Sequence, residues 1–488
     1  MRARASRTTT GRECELIEGE GREEVMAVTT ARRPTAVVLA AVFAVFSSLV
    51  AIPRVDAQLA PLEETRPNVL LIVTDDQRLD GTMAVLPTVR EWFGAGGTEF
   101  TNAYVTTPLC CPSRASIMTG RYTHNHGVEA NGEDAAHTMD HRTTLASQLQ
   151  RAGYSTAIFG KFFNKWPHTT PPPGYDEWAI QNFRYSGSTF NVNGRAKVID
   201  EYSTDYITEK STEFIEGASA AKKPWFLYIA PMAAHSPFEP SWRYRDAPVP
   251  AWGGNPATAE SNRKDKPLWV RNESTSHARG DKLRRLQLRT LMSVDDLVDD
   301  VVETLEETGE DTTTIAVFTS DNGFFWGEHG LEDKRGAYVQ ALQVPLYLRW
   351  PGRVLGGTTD DRIAANIDIA PTLLSAAGVE PSHSVDGTSL LESSERDHLL
   401  IEYFQDEAPF DDVPKWAGIF TPQHEYVEYY GKKGGLVFRE YYDLTRDPWQ
   451  LSNLLGDSSS ANDPSPDVLR ELKTRLHADM NCTGTACP

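Results

Sequence analysis

Residues Asn68 to Gln77 read NVLLIVTDDQ, and residues Thr313 to Gly330 read TTIAVFTSDNGFFWGEHG. In each stretch an unbroken apolar run, Val69 to Val73 or Ile315 to Phe318, gives way to acidic and amide side chains: Asp75 and Asp76, then Asp321 and Asn322. A run that is apolar at successive positions predicts a strand covered on both faces, as in a parallel sheet. In open α/β sheets, ligands sit at the carboxyl ends of the strands. Taken singly, each stretch also fits a plainer reading, the first a solvated strand-to-loop turn and the second an Asn-Gly hairpin. Taken together they offer four hard oxygen donors, and the carboxylates among them repel unless a cation lies between. That donor set favours Ca²⁺ or Mg²⁺ over zinc. No HExxH or CxxC pattern competes for a transition metal.

Two more apparent strands end in polar residues. Ala157-Ile158-Phe159 precedes Gly160-Lys161, and WFLYIA (Trp225–Ala230) leads to His235-Ser236-Pro237. Lys334 follows in LEDKRGAY. Each of these also reads as a surface lysine, a capping histidine or a solvated charge. TTLASQLQRAGY (143–154) spaces Leu145, Leu149 and Ala152 as an amphipathic helix with Gly153 as its stop. The stretch 283–309 predicts a longer helix with Leu288, Leu291, Met292, Val298, Val302 and Leu305 inward. Helices alternating with strands predict a mixed, mostly parallel sheet. Past residues 393–397 the composition turns polar. HLLIEYF, EYVEYY and LVFREYYDL then suggest a small antiparallel sheet, followed by a loop at 456–466 and a short helix.

The N-terminus is not part of that body. Arg32-Arg33 precede a 15-residue apolar run, Ala36–Val50, ending near a small-x-small pattern at Ala57. This reads as a secretory signal peptide over residues 1–57, with Met26 as an alternative start, and the run is short for a membrane span. The expected product is secreted or periplasmic, without a stable membrane span. Of 48 basic and 68 acidic side chains, 8 and 7 lie in residues 1–57, which leaves the remainder near −21. Such a body disfavours nucleic acid. Any site for an anion must be a local cluster of cations or metal. The expected divisions are a catalytic domain over 66–395 and a C-terminal subdomain over 396–488.

Cys482 and Cys487 are placed to close a small loop by a disulfide. Cys110 and Cys111 are adjacent, in TPLCCPSRASIMTGRYTHNHG (107–127). Read alone they are two buried small residues. Cys110-x-Pro112-Ser113-Arg114 followed by Thr119-Gly120-Arg121, however, resembles the type I sulfatase signature, and the longer run through HNHG is most similar to the N-acetylglucosamine-6-sulfatase and bacterial arylsulfatase branch. The resemblance extends from about Asn68 to Leu454. It implies an α/β, alkaline-phosphatase-like mixed sheet sandwiched by helices, with a smaller C-terminal α+β subdomain. It implies that a formylglycine-generating enzyme oxidises Cys110 to formylglycine. It also implies that Asp75, Asp76, Asp321 and Asn322 join position 110 around a metal, usually calcium with Mg²⁺ as the alternative. Arg114, Lys161, His235 and Lys334 match the family's sulfate-binding and leaving-group residues. One departure stands out: Phe163 occupies the place of a family histidine in GKFFN. Asn164 is a partial substitute, and His126 and His124 are candidate bases, with structural or subsite roles as the alternative.

The activity expected is hydrolysis of a sulfate monoester, of an aryl alcohol or of a sulfated amino sugar such as N-acetylglucosamine 6-sulfate. The rivals are a phosphonate monoester or phosphodiester hydrolase using the same site, and a non-catalytic sulfated-glycan binder. Residues 263–289, with nine Lys or Arg against three acids, either line a glycan groove or form a solvated face. Trp166 either covers a sugar or aryl ring or packs on the surface.

Overall fold

The computed structural model describes residues 66–488 except 133–134, 394–395, 407 and 409–411. The expected signal segment and its cleavage point lie outside the described residues. The strand Asn68–Thr74 sits near the middle of a ten-stranded sheet and is buried along its whole length. Val69, Leu71 and Val73 face one apolar core, and Leu70 and Ile72 face the other. Ile315 and Val317 divide from Ala316 and Phe318 in the same way. The unbroken apolar runs therefore have the cause expected of them, since both faces of the sheet are covered.

Across the sheet the order is Thr358–Ala365, Thr98–Tyr104, Leu346–Arg349, Thr314–Ser320, Asn68–Thr74, Trp225–Ala230, Ser155–Gly160, Glu177–Gln181, Ser188–Val192 and Arg195–Ile199. The four consecutive strands Thr314–Ser320, Asn68–Thr74, Trp225–Ala230 and Ser155–Gly160 are mutually parallel. Antiparallel pairings toward both edges make the sheet mixed. Helices Cys110–Thr119, Leu145–Arg151 and Ile369–Ala376 cover one face, and Ser203–Ala221 and His277–Glu307 cover the other.

The predicted helices are present with small shifts. Thr144 caps the helix Leu145–Arg151 through the Ser147 amide, and Gly153 takes φ +92° beyond its end. On the long helix, Val294, Leu297 and Val301 join Leu288, Leu291, Val298 and Leu305 in the buried stripe. Met292 and Val302 are only its partly buried rim.

Leu399–Tyr403, Lys415–Phe420, His424–Tyr430 and Leu436–Asp443 form an antiparallel four-stranded sheet, and the helix Pro466–Asp479 follows. The strand Lys415–Phe420 (KWAGIF) was absent from the sequence expectation. Its core includes Tyr104, Leu109 and Tyr122 of the larger layer, and the described residues belong to one compact unit. Cys482 and Cys487 are joined by a disulfide. Among the described residues, no helix is long and apolar enough to cross a membrane.

Candidate active site

Parallel neighbours end at the same edge of a sheet. Thr74 pairs with Ser320, so Asp75 and Asp76 leave the sheet beside Asp321 and Asn322. The next strands deliver Lys161 just after Gly160, and His235 after Ala230. Gly160 has φ +113°, and a Cβ there would lie 2.0 Å from the Ala230 carbonyl oxygen. Only glycine fits that close approach, which fixes where the chain turns to present Lys161. Cys110 opens the helix Cys110–Thr119, and Arg114 lies one turn on, on the same face. Lys334 arrives from the turn after the short pairing of Phe325–Trp326 with Glu332–Asp333.

These side chains converge. Asp75, Asp76 and Asp321 are buried and form a carboxylate cluster able to hold a metal ion. The Lys334 ammonium donates to Cys110 Sγ at 3.0 Å and pairs with Asp76. Lys161 pairs with Asp75. Arg114 Nε donates to Asp321 Oδ2 at 2.8 Å, and another guanidinium nitrogen donates to the Tyr228 hydroxyl at 3.1 Å. Cys110 Sγ is 3.8 Å from Asp75 Oδ1. His235 Nε2 is 3.9 Å from Asp76 Oδ2, and the histidine groups with Asp75 and Cys110. Its Nδ1 lies 2.7 Å from the Ser236 carbonyl oxygen. A carbonyl only accepts, so Nδ1 carries a proton and Nε2 is the nitrogen turned to the site.

Three carboxylates thus face three permanent cations, all of them buried. Burial raises the Asp75 carboxyl, but Lys161 and His235 outweigh it and hold the group below its ordinary value. Burial would lower the Lys161 amine, but Asp75, Cys110 and Asp321 together more than reverse this and leave it above its ordinary value. Burial pushes the Cys110 thiol up to about 11, so as a thiol it stays protonated at neutral pH. The residues present suit a hard divalent cation. Asn322 uses its amide N–H on Asp76 Oδ1 at 2.7 Å and on the Gly323 carbonyl, while its buried Oδ1 has no partner among the described residues. Three carboxylates and one orphaned amide oxygen make a donor set for Ca²⁺ or Mg²⁺.

Above the cluster opens a cleft of about 730 Å³ whose walls include Asp76, Asn164, Phe183, His235, Phe238 and Lys334. Asn164 presents a buried Oδ1 with no described partner, and its backbone N–H donates to Cys111 Sγ at 3.2 Å. Cys111 is buried and turned away into the apolar core. Phe163 is packed among Phe162 and His141.

The structure does not bring His126 to this group. Its Nδ1 accepts from the Val128 amide, its Nε2 meets the Ser116 hydroxyl at 3.1 Å, and burial pushes it down to about 3. His124 is held by Glu402 and the Cys482 carbonyl. Both rings hold the fold together, and His235 is the histidine at position 110. Trp166 is neither a lid nor a surface residue: it is buried among Phe162 and His141. The basic stretch 263–289 is no free groove. Arg263 donates to the carbonyls of Val270, Glu273 and His329, Lys266 is buried on Asp265, and Arg279 pairs with Glu332. Tyr228 escaped the sequence reading because a tyrosine inside WFLYIA looks like any other core aromatic.

A family model described as Sulfatase matches residues 67–379. The chain belongs to the sulfatase family. A second model, described as N-sulphoglucosamine sulphohydrolase, C-terminal, matches residues 327–481. The human N-acetylglucosamine-6-sulfatase is 31% identical over 486 residues, covering 86% of this chain and 86% of the relative. An N-acetylglucosamine-6-O-sulfatase of Bacteroides thetaiotaomicron is 28% identical, covering 82% and 84%. A Caenorhabditis elegans protein named a putative extracellular sulfatase Sulf-1 homolog is 34% identical, and the match spans 49% of its length. A solved structure described as in complex with its substrate D-glucosamine-2-N,6-O-disulfate superposes with TM-score 0.72 at 25% identity, covering 84% of this chain and 97% of that one. As a sulfatase, the chain is a sulfuric ester hydrolase with the mixed-sheet, alkaline-phosphatase-like architecture that its motifs implied.

Proposed function

We propose that this sulfatase is a secreted enzyme that releases sulfate from a sulfated amino sugar of the N-acetylglucosamine 6-sulfate type. The observation that carries the reading is the meeting of Lys334, Arg114 and Lys161 with Cys110 and three buried carboxylates at the floor of one cleft. The names of the relatives, and the substrate named for the similar solved structure, support the amino sugar over an aryl ester.

In this reading a formylglycine-generating enzyme converts Cys110 to formylglycine after translation. That group, hydrated, would supply a geminal pair of hydroxyls at position 110, one to act as nucleophile and one to be ionised for release of sulfate. Asp75, Asp76, Asp321 and Asn322, with position 110, would hold a divalent ion, Ca²⁺ by the family's habit. That ion would supply positive charge for the nucleophile and for sulfate. The remaining work falls to the chain's own cations. Arg114 and Lys161 bind the non-bridging sulfate oxygens, where preorganised charge counts most in a dry site. Lys334 stabilises the leaving oxygen, and His235 Nε2 delivers its proton, with the Ser236 carbonyl fixing the ring.

Two measurements test this. Mass spectrometry of the tryptic peptide bearing Cys110 should show a loss of about 18 Da against the thiol, whereas ordinary thiol oxidation adds mass. Parallel kinetics on N-acetylglucosamine 6-sulfate, nitrophenyl sulfate and a phenylphosphonate ester should favour the first. A fully active protein with a free thiol at position 110, or a preference for the phosphonate, would overturn the reading.

A further inference from the structure

A second pocket adjoins the cleft. It measures about 610 Å³ and shares Phe238 with the cleft's walls. On that pocket's rim stands Trp242, 78% exposed, more than any other large apolar side chain among the described residues. The segment bearing it is firmly held. Arg243 donates to both oxygens of Asp205 at 2.9 and 2.8 Å and to Asp296 at 3.1 Å, and the Tyr244 hydroxyl donates to Asp296 at 2.5 Å. Asp205 belongs to the helix Ser203–Ala221 and Asp296 to His277–Glu307, so two helices fix the strip from which the indole projects. Ser241, beside it in the pocket wall, is only 2% exposed, and its hydroxyl has no partner among the described residues.

A flat aromatic face beside an unused buried hydroxyl suits a pyranose, which has an apolar C–H face and an equatorial belt of hydroxyls. Charge narrows the choice. Asp200, Glu201 and Glu239 line the pocket against Arg245, while Asp205 is taken by Arg243. The surplus is negative, and a second anion there would be repelled.

We propose that this pocket is a second sugar subsite, which holds the ring joined to the sulfated one and takes a neutral ring in preference to a sulfated or carboxylated one. The proposal rests on the amino-sugar reading above and deepens it, making the substrate an oligosaccharide with an uncharged second residue.

The test uses three substrates that share the same sulfated amino sugar: the free monosaccharide, a disaccharide with a neutral hexose, and one with a uronic acid. Wild-type kcat/KM should be roughly tenfold higher on the neutral disaccharide than on either other, the size expected of one aromatic anchor. Trp242→Ala should remove that gain through KM and leave the monosaccharide rate unchanged. Glu239→Gln should narrow the gap between the two disaccharides, and added salt should do likewise. Equal rates on all three substrates, or a Trp242→Ala loss shared by all three, would overturn the proposal. Saturation-transfer NMR with the desulfated neutral disaccharide reads the pocket without turnover. Binding that depends on Trp242 supports the subsite even if no substrate is hydrolysed, an outcome that would overturn only the catalytic reading. Sulfate release without such binding overturns the subsite alone.

Discussion

Replacing Gly160 by alanine tests whether the strand contact beneath Lys161 positions its ammonium group. The new Cβ would stand 2.0 Å from the Ala230 carbonyl oxygen, and Cβ contacts closer than 3.0 Å essentially never occur, so the two backbones must part by roughly 1 Å. Ala230 is backbone in the neighbouring parallel strand, and the Lys161 amide itself donates to that carbonyl at 2.7 Å, so no flexible side chain can yield instead. The positive φ adds about 1–3 kcal/mol and the overpacking a further 1–3 kcal/mol, giving an expected loss of about 2–6 kcal/mol in unfolding free energy. A displacement of roughly 1 Å at a positioning group costs about 10²-fold in rate. Gly127→Ala is the control. It too has positive φ, at +77°, but an added Cβ meets nothing within 4 Å. Urea unfolding and sulfate release should be measured on both variants. Gly160→Ala should lose both stability and about 10²-fold in kcat/KM, with Gly127→Ala losing only the smaller conformational share of stability. If Gly160→Ala matched its control in both assays, the close approach at Ala230 would not be what places Lys161.

Three further outcomes follow from the same geometry. Lys334→Ala should lower kcat by about 10²–10³, as removal of a transition-state charge donor does, with little change in KM; a change confined to KM would place Lys334 in ground-state binding instead. Exhaustive chelation should abolish sulfate release and back-titration with Ca²⁺ should restore it, while ion at 100 times its Kd should raise the unfolding free energy by about 2.7 kcal/mol; activity that survives chelation would refute the metal site. Burial, and after it the nearby Glu440, raise the Glu425 carboxyl well above its ordinary 4.5. Between those two values the folded chain holds a proton that the unfolded chain releases, so this group's contribution to stability falls as pH rises. Glu425→Gln should therefore gain on wild type by about 1.4 kcal/mol per pH unit across that window, and a difference in unfolding free energy that stays flat with pH would refute it.

The positions that could be read from the sequence share a physical cause. Strand ends in a parallel sheet announce themselves, because an unbroken apolar run must stop where the chain reaches the sheet's edge, and Asp75, Asp76, Asp321, Asn322 and Lys161 each follow such a stop. The C-x-P-S-R run singles out Cys110 and Arg114 through its resemblance to the family's signature. His126 was misplaced for the opposite reason. Two residues from His124 in a short polar run, it offers no sequence sign of facing Ser116 and the Val128 amide rather than position 110. Trp166 and the lysines and arginines of 263–289 were likewise ambiguous, because burial of an aromatic or pairing of a cation depends on partners distant in sequence.

The sequence by itself determined the kind of sheet, the donor types at its edge and the family, since periodicity and motif spacing are local. Tertiary structure alone decided that the four strand ends lie side by side, that Lys334 reaches Cys110 from more than two hundred residues away, and that Trp242 stands over a second pocket sharing Phe238 with the cleft. Those facts depend on strand order and on loop paths across the sheet, which are set by how two apolar faces are covered and not by any short run of residues.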